Sequence, residues 1–150
     1  MTNLSSPVLY QERTLPSLGF YAATLFVPVA VFVIALPFSE EVGLVLSALS
    51  FSLVLVTTWF FSPLITLTAE HLTIGKVKIE TKYLGTAKSI EGDEVFMERG
   101  TLLDSRAYTV FQIGVKQLVK IAINDKRDPT PYWLIASRNP EVIAGLLNKL

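Results

Sequence analysis

The chain has no cysteine, so disulfides and thiolate metal sites are excluded. It has a single histidine, His71, which leaves histidine-based catalysis or metal binding with one residue to work with. Charge is scarce: 17% of the 150 residues are Asp, Glu, Lys or Arg, against about 25% in ordinary soluble domains. The deficit is local. Residues 14–39 and 42–69 contain no charged side chain, and only Glu40 and Glu41 stand between them. After residue 69 charges return at normal density. Acids and bases balance at 13 each, so no basic field points to nucleic acid. A glycine-rich phosphate loop, a Walker sequence and a paired-carboxylate motif are also missing.

What is present is a long apolar region over residues 19–67. A bilayer core about 30 Å thick needs roughly 20 apolar residues, and both uncharged runs meet that length. Such runs must satisfy their backbone internally, so each is expected to be a helix. The first is expected over about 20–36, with Pro28 kinking it. The second is expected over about 41–61, with Ser39 as N-cap, the two glutamates in the first turn and Pro63 after its end. A secretory signal peptide is the competing reading of the first run. Against it, the only basic residue of the lead is Arg13, and a bulky Phe38 stands where a small residue would precede cleavage.

Gly43, Ser47, Ser50, Val54 and Thr57 share one face of the second helix at spacings of three and four. Small residues allow close approach, either to the first helix or to a second copy as a homo-oligomer contact. Neither run carries an ionisable group that would mark an ion path. Lys and Arg flank the pair (Arg13 before; Lys76, Lys78 and Lys82 after), and the connecting turn has none. Both termini are therefore expected in the cytoplasm of a multi-pass inner (plasma) membrane protein, with Trp59, Phe60 and Phe61 at the inner interface.

From Ile65 the apolar period becomes two. Strands are expected at 65–69 and 76–80, separated by Gly75, and then at 86–90, 107–112, 118–123 and 132–137. Residues 91–105 read as a loop. Asn139 and Pro140 open a terminal helix whose apolar face is Ile143, Leu146, Leu147 and Leu150. The expected organisation is a lead at 1–19, a two-helix hairpin at 20–63, and an α+β domain at 64–150. That domain is read as a small antiparallel sheet capped by the terminal helix.

Three blocks carry a resemblance: Leu9-Tyr10-Gln11-Glu12-Arg13, Arg106-Ala107-Tyr108, and Asp128-Pro129-Thr130-Pro131-Tyr132-Trp133-Leu134 continuing through Ser137-Arg138-Asn139-Pro140-Glu141. On these the chain resembles a family of small actinobacterial membrane proteins known as domain of unknown function 3093. Members of that family often carry tryptophans at the start of the first helix, where this chain has Phe20 and Tyr21. The resemblance implies location and architecture, and no chemistry. The order of two helices, a β-rich segment opening at residues 65–74 and a terminal helix also resembles bacterial pleckstrin-homology-like (PH-like) membrane proteins.

Candidate sites follow from position. Lys76 and Lys78 alternate onto one strand face beside the membrane; together with Lys82 they form a candidate contact for anionic lipid, although Glu80 continues the same face. The block Asp128, Pro129, Thr130, Pro131, Tyr132, Trp133, with Arg106 and Arg138, reads either as a recognition surface or as a rigid turn with Arg–Asp pairing that anchors the last strand. Tyr132 and Trp133 must face opposite ways, so one should be buried. His71 reads as an exposed strand residue.

The sequence thus describes an integral membrane interaction or regulatory module, not an enzyme and without a cofactor. Its partners are the lipid bilayer and a membrane or cytoplasmic protein. The alternative is an accessory subunit of a larger membrane complex, acting through its helices.

Overall fold

The computed structural model describes residues 7–150, which divide into two compact units. The helical unit covers Leu15–Ser62, and the β unit joins residues up to Thr14 with Pro63–Leu150.

In the helical unit, α1 (Leu18–Thr24) and α2 (Phe26–Ala35) make up the first apolar run, and α3 (Glu40–Phe61) is the second. The first helix breaks at Leu25. Pro28 has no N–H to give to the carbonyl of Thr24 four residues earlier, so regular bonding lapses at that point. Ser39 caps α3, its hydroxyl accepting from the Val42 N–H at 3.4 Å. Residues Leu18–Ala35 and Glu40–Phe61 are long and apolar enough to cross a membrane. The small-residue face of α3 is turned to α2. Gly43 is buried, and a Cβ there would lie 3.2 Å from the Phe32 ring and 3.4 Å from the Ala35 methyl. Ser47, Ser50, Val54 and Thr58 continue the partly covered line, while Thr57 is exposed.

The β unit is α+β, with two four-stranded sheets and a C-terminal helix. The first sheet has the order β1 (Val8–Arg13), β2 (Leu64–Thr68), β3 (His71–Ile74), β4 (Val77–Glu80), all antiparallel. A 3-10 turn at Thr81–Tyr83 leads into the second sheet. Its strands are β5 (Leu84–Ile90), β6 (Tyr108–Val110), β7 (Leu118–Ile123) and β8 (Tyr132–Ala136), in the order β5-β7-β8-β6. The core between the sheets takes Ile65, Leu67, Leu72 and Ile74 from one side and Val119, Ile121, Trp133 and Ile135 from the other. Helix α5 (Pro140–Leu147) closes it with Ile143, Ala144 and Leu147. Strand β8 is buried on both faces, because Ile90, Val95, Val115, Leu118, Leu134 and Ala136 form a second cluster. Helix α4 (Glu94–Arg99) supplies Val95 to it.

Five features depart from the sequence expectation. The lead is not separate from the later domain: residues 8–13 form an edge strand on β2, with Arg13 opposite Leu64. An additional strand, β3, lies between the two expected at 65–69 and 76–80: the chain turns at residues 69–70, where the Thr68 hydroxyl accepts the His71 N–H at 3.0 Å, and pairs back on β2. The sheet is not single or wholly antiparallel, since there are two sheets and β6 runs parallel to β8. The stretch 91–105 contains α4. The terminal helix starts at Pro140 as expected, but Asn139 does not cap it: its side-chain amide donates to the Tyr10 hydroxyl at 3.3 Å.

Candidate functional site

Strand register sets where the lysines lie. Arg13 pairs with Leu64, Ile65 with Ile74, and Ile74 with Val77. The Gly75 N–H donates to the Leu64 carbonyl at 2.9 Å, and the Thr14 N–H to the Pro63 carbonyl at 3.0 Å. The chain therefore leaves the β unit at Thr14 and re-enters at Pro63 at one end of the first sheet, and the β3–β4 turn lies at that same end. Gly75 has φ +59°, a left-handed turn position that suits glycine. Lys76 is exposed in this turn.

Lys78 is further along β4. It lines an open depression of about 420 Å³ with His71, Glu80, Tyr83, Asp125 and Asp128, so its surroundings are mostly acidic. Lys82 lies beyond the far end of β4, in the 3-10 turn. It is ion-paired with Glu80, which holds the ammonium above and the Glu80 carboxyl below their usual values. The three lysines thus occupy three environments, and Lys76 alone is at the end where the chain connects to the helical unit. His71 is half-buried on β3, 3.9 Å from the Glu70 carboxylate.

The DPTPYW block is built as a turn into β8. The Asp128 carboxylate accepts the Thr130 N–H at 2.8 Å. The Thr130 hydroxyl and then its N–H hold that carboxyl below its ordinary value. The Pro131 carbonyl accepts from the Ile123 N–H at 3.1 Å, continuing the pairing of β7 with β8. Pro129 lies exposed on the turn. Trp133 is the buried aromatic, 4% exposed, with its ring 4.9 Å from that of Tyr108. Tyr132 lies on the other face of β8, half-buried against the second cluster, and ties down the loop after α4: its hydroxyl accepts the Asp104 N–H at 2.8 Å and donates to the Leu102 carbonyl at 3.2 Å. The Lys120 ammonium lies 4.3 Å above the Tyr132 ring and pairs with Glu98 at 2.8 Å.

Arg106 does not join this turn. Its partner is Asp104, bound at 2.8 Å and 3.1 Å through the guanidinium and at 2.9 Å through the backbone N–H. These bonds push the Asp104 carboxyl down to about 2.

Arg138 belongs to a network that sequence reasoning missed. The Glu12 carboxylate accepts three hydrogen bonds: from the Tyr10 hydroxyl at 2.8 Å, the Ser137 hydroxyl at 2.6 Å and the Arg138 N–H at 2.9 Å. The Asn139 N–H donates to the Ser137 oxygen at 3.1 Å. Burial, and then the Glu12 carboxylate, raise the Tyr10 hydroxyl above its usual value. The network fastens β1 to the β8–α5 junction across more than 120 residues of sequence. The available signal was that these residues fall in the blocks Leu9–Arg13 and Ser137–Glu141, which carried the family resemblance.

These arrangements organise turns, strand ends and exposed charge. Among the described residues, no group of three or more His, Asp or Glu side chains is placed to hold a metal ion. Among curated proteins and solved structures nothing matches the chain. The sequence model of the family described as "Protein of unknown function (DUF3093)" matches residues 9–147, from β1 through the end of α5, and the chain belongs to that family.

Proposed function

We propose that the protein is a membrane-anchored interaction module. Helices α1–α3 cross the bilayer as a hairpin, and the β unit, with PH-like architecture, works at the cytoplasmic face. The observation that carries this reading is the pairing of β1 with β2. One strand precedes the two long apolar helices and the other follows them, yet they share a sheet. This pairing supports a topology in which both ends of the hairpin lie on the same side of the membrane. Removing the first helix as a signal peptide would also strip the sheet of β1. The cytoplasmic side follows from the Lys/Arg bias, with Arg13 and Lys76 flanking the hairpin and only Glu40 and Glu41 at its turn.

The β unit is the recognition element, for lipid headgroups or a protein partner. The alternative, an accessory subunit acting through its helices, places the contact in the other half. Replacing residues 15–62 with an unrelated two-helix hairpin separates them. With a photo-crosslinker at position 76, the chimera should give the same adducts as the parent. Loss of those adducts on a membrane-inserted chimera would move the contact to the helices.

A further inference from the structure

Residues 111–117 connect β6 to β7, and two of their apolar side chains are exposed. Phe111 is 42% exposed and Ile113 63% exposed, followed by exposed Lys116. The loop is braced in this form. Val115 is buried in the second cluster, and its N–H donates to the Gln112 carbonyl at 3.2 Å. Gly114 takes φ +77°, a conformation other residues rarely adopt. The Arg99 guanidinium donates to the Val115 carbonyl at 2.8 Å and lies 5.0 Å from the centre of the Phe111 ring.

Its place in the β unit is fixed at both ends. Before it, Val110 pairs with Ile135 near the end of β8. After it, the Gln117 carbonyl accepts the Ser137 N–H at 3.2 Å. Ser137 in turn binds Glu12, two residues before Thr14, where the chain leaves for the helical unit. The turn carrying Lys76 lies at the same end of the first sheet. The acids Glu91 and Asp93 follow β5, whose Ile90 pairs with Leu118 of β7, so Glu91 stands beside the β7 end of the loop.

We infer that residues 111–117 form a membrane-inserting loop, with Phe111 and Ile113 entering the interfacial zone and Lys116 and Lys76 contacting anionic headgroup phosphates. The inference rests on the anchor reading above, because the covalent connection at Thr14 and Pro63 is what keeps this corner beside a bilayer. An aromatic and a branched aliphatic side chain flanked by lysines match the chemistry of that zone.

The absence of cysteine makes the test direct. Ile113→Cys, Leu49→Cys and Lys126→Cys are each labelled with an environment-sensitive fluorophore in the full chain. The labelled chains are placed in nanodiscs of phosphatidylcholine and phosphatidylglycerol containing spin-labelled lipid. Position 49 is on α3, and position 126 is in the β7–β8 turn, at the other end of the second sheet. Quenching at 113 should exceed that at 126 severalfold and accompany quenching at 49. Quenching at 49 with 113 no different from 126 would overturn the loop inference and leave the anchor standing. An unquenched label at 49 would overturn the anchor, and the inference with it. Lys76→Glu with Lys116→Glu should weaken quenching at 113 in the anionic discs, and no change there would overturn the headgroup contacts.

Discussion

Truncating Trp133 to alanine should cost the β unit a large part of its stability. The side chain is 4% exposed and lies on β8, between Ile121 of β7 and Tyr108 of β6. Removing a buried Trp typically costs about 3–5 kcal/mol. Loss of the tilted ring contact with Tyr108, at 4.9 Å and 55°, belongs to that figure. The β unit has about 95 residues, for which a total of roughly 5–14 kcal/mol is expected. At about 4–8 °C per kcal/mol for a domain of this size, the midpoint should fall by more than about 10 °C. Asp128→Ala removes one acceptor on a turn and should cost about 1 kcal/mol. The assay is thermal unfolding of the full chain in detergent, followed at the β-sheet amide band so that the helical unit does not dominate. A Trp133→Ala protein melting with the parent, or a larger loss from Asp128→Ala, would refute the assignment of this block to the fold.

Because the Thr14 N–H is 3.0 Å from the Pro63 carbonyl, joining residues 7–14 to 63–150 by a short Gly/Ser linker should give a folded β unit. The fragment 63–150 alone should expose the β2 edge and lose amide protection in hydrogen exchange. Gly85→Ala should destabilise by about 1–3 kcal/mol in the same melt, since a Cβ there would lie 2.8 Å from the Asn124 amide and 3.1 Å from the Ala122 methyl. Asp104 is held at about 2, below its ordinary value of 3.8. Its contribution is therefore complete above pH 4 and lost as pH falls toward 2. Asp104→Asn should lower stability at neutral pH, leave it little changed near pH 2, and so flatten the acid limb of a stability–pH curve over that window.

The parts legible in the sequence were those set by local pattern. Uncharged length gave the two helices, Ser39 and Pro63 bounded the second, and alternation at Ile65, Leu67, Val119 and Ile121 gave core strands. Pro140 gave the start of α5. What escaped was non-local. Residues 8–13 become β1 only because β2, more than 50 residues later, offers an edge, and Val8 and Leu9 are exposed there, so no buried alternation announced a strand. The parallel β6–β8 pair depends on where a distant strand runs, and α4 buries only Val95. The same limit applied at the candidate site. Alternation put Lys76 and Lys78 on one face, but strand register and the neighbouring acids separate them. Arg106 found Asp104, two residues away, before any long-range partner.

The central claim is a hairpin anchor with the β unit in the cytoplasm, and single cysteines test it in one measurement. Ser39→Cys lies at the turn between the two apolar helices, and Lys149→Cys follows α5. Intact cells are treated with a membrane-impermeant maleimide. Ser39→Cys should label directly, and Lys149→Cys only after permeabilisation. Labelling of Lys149→Cys in intact cells would place the β unit outside, and equal labelling of both positions from one side would mean that the helices do not cross.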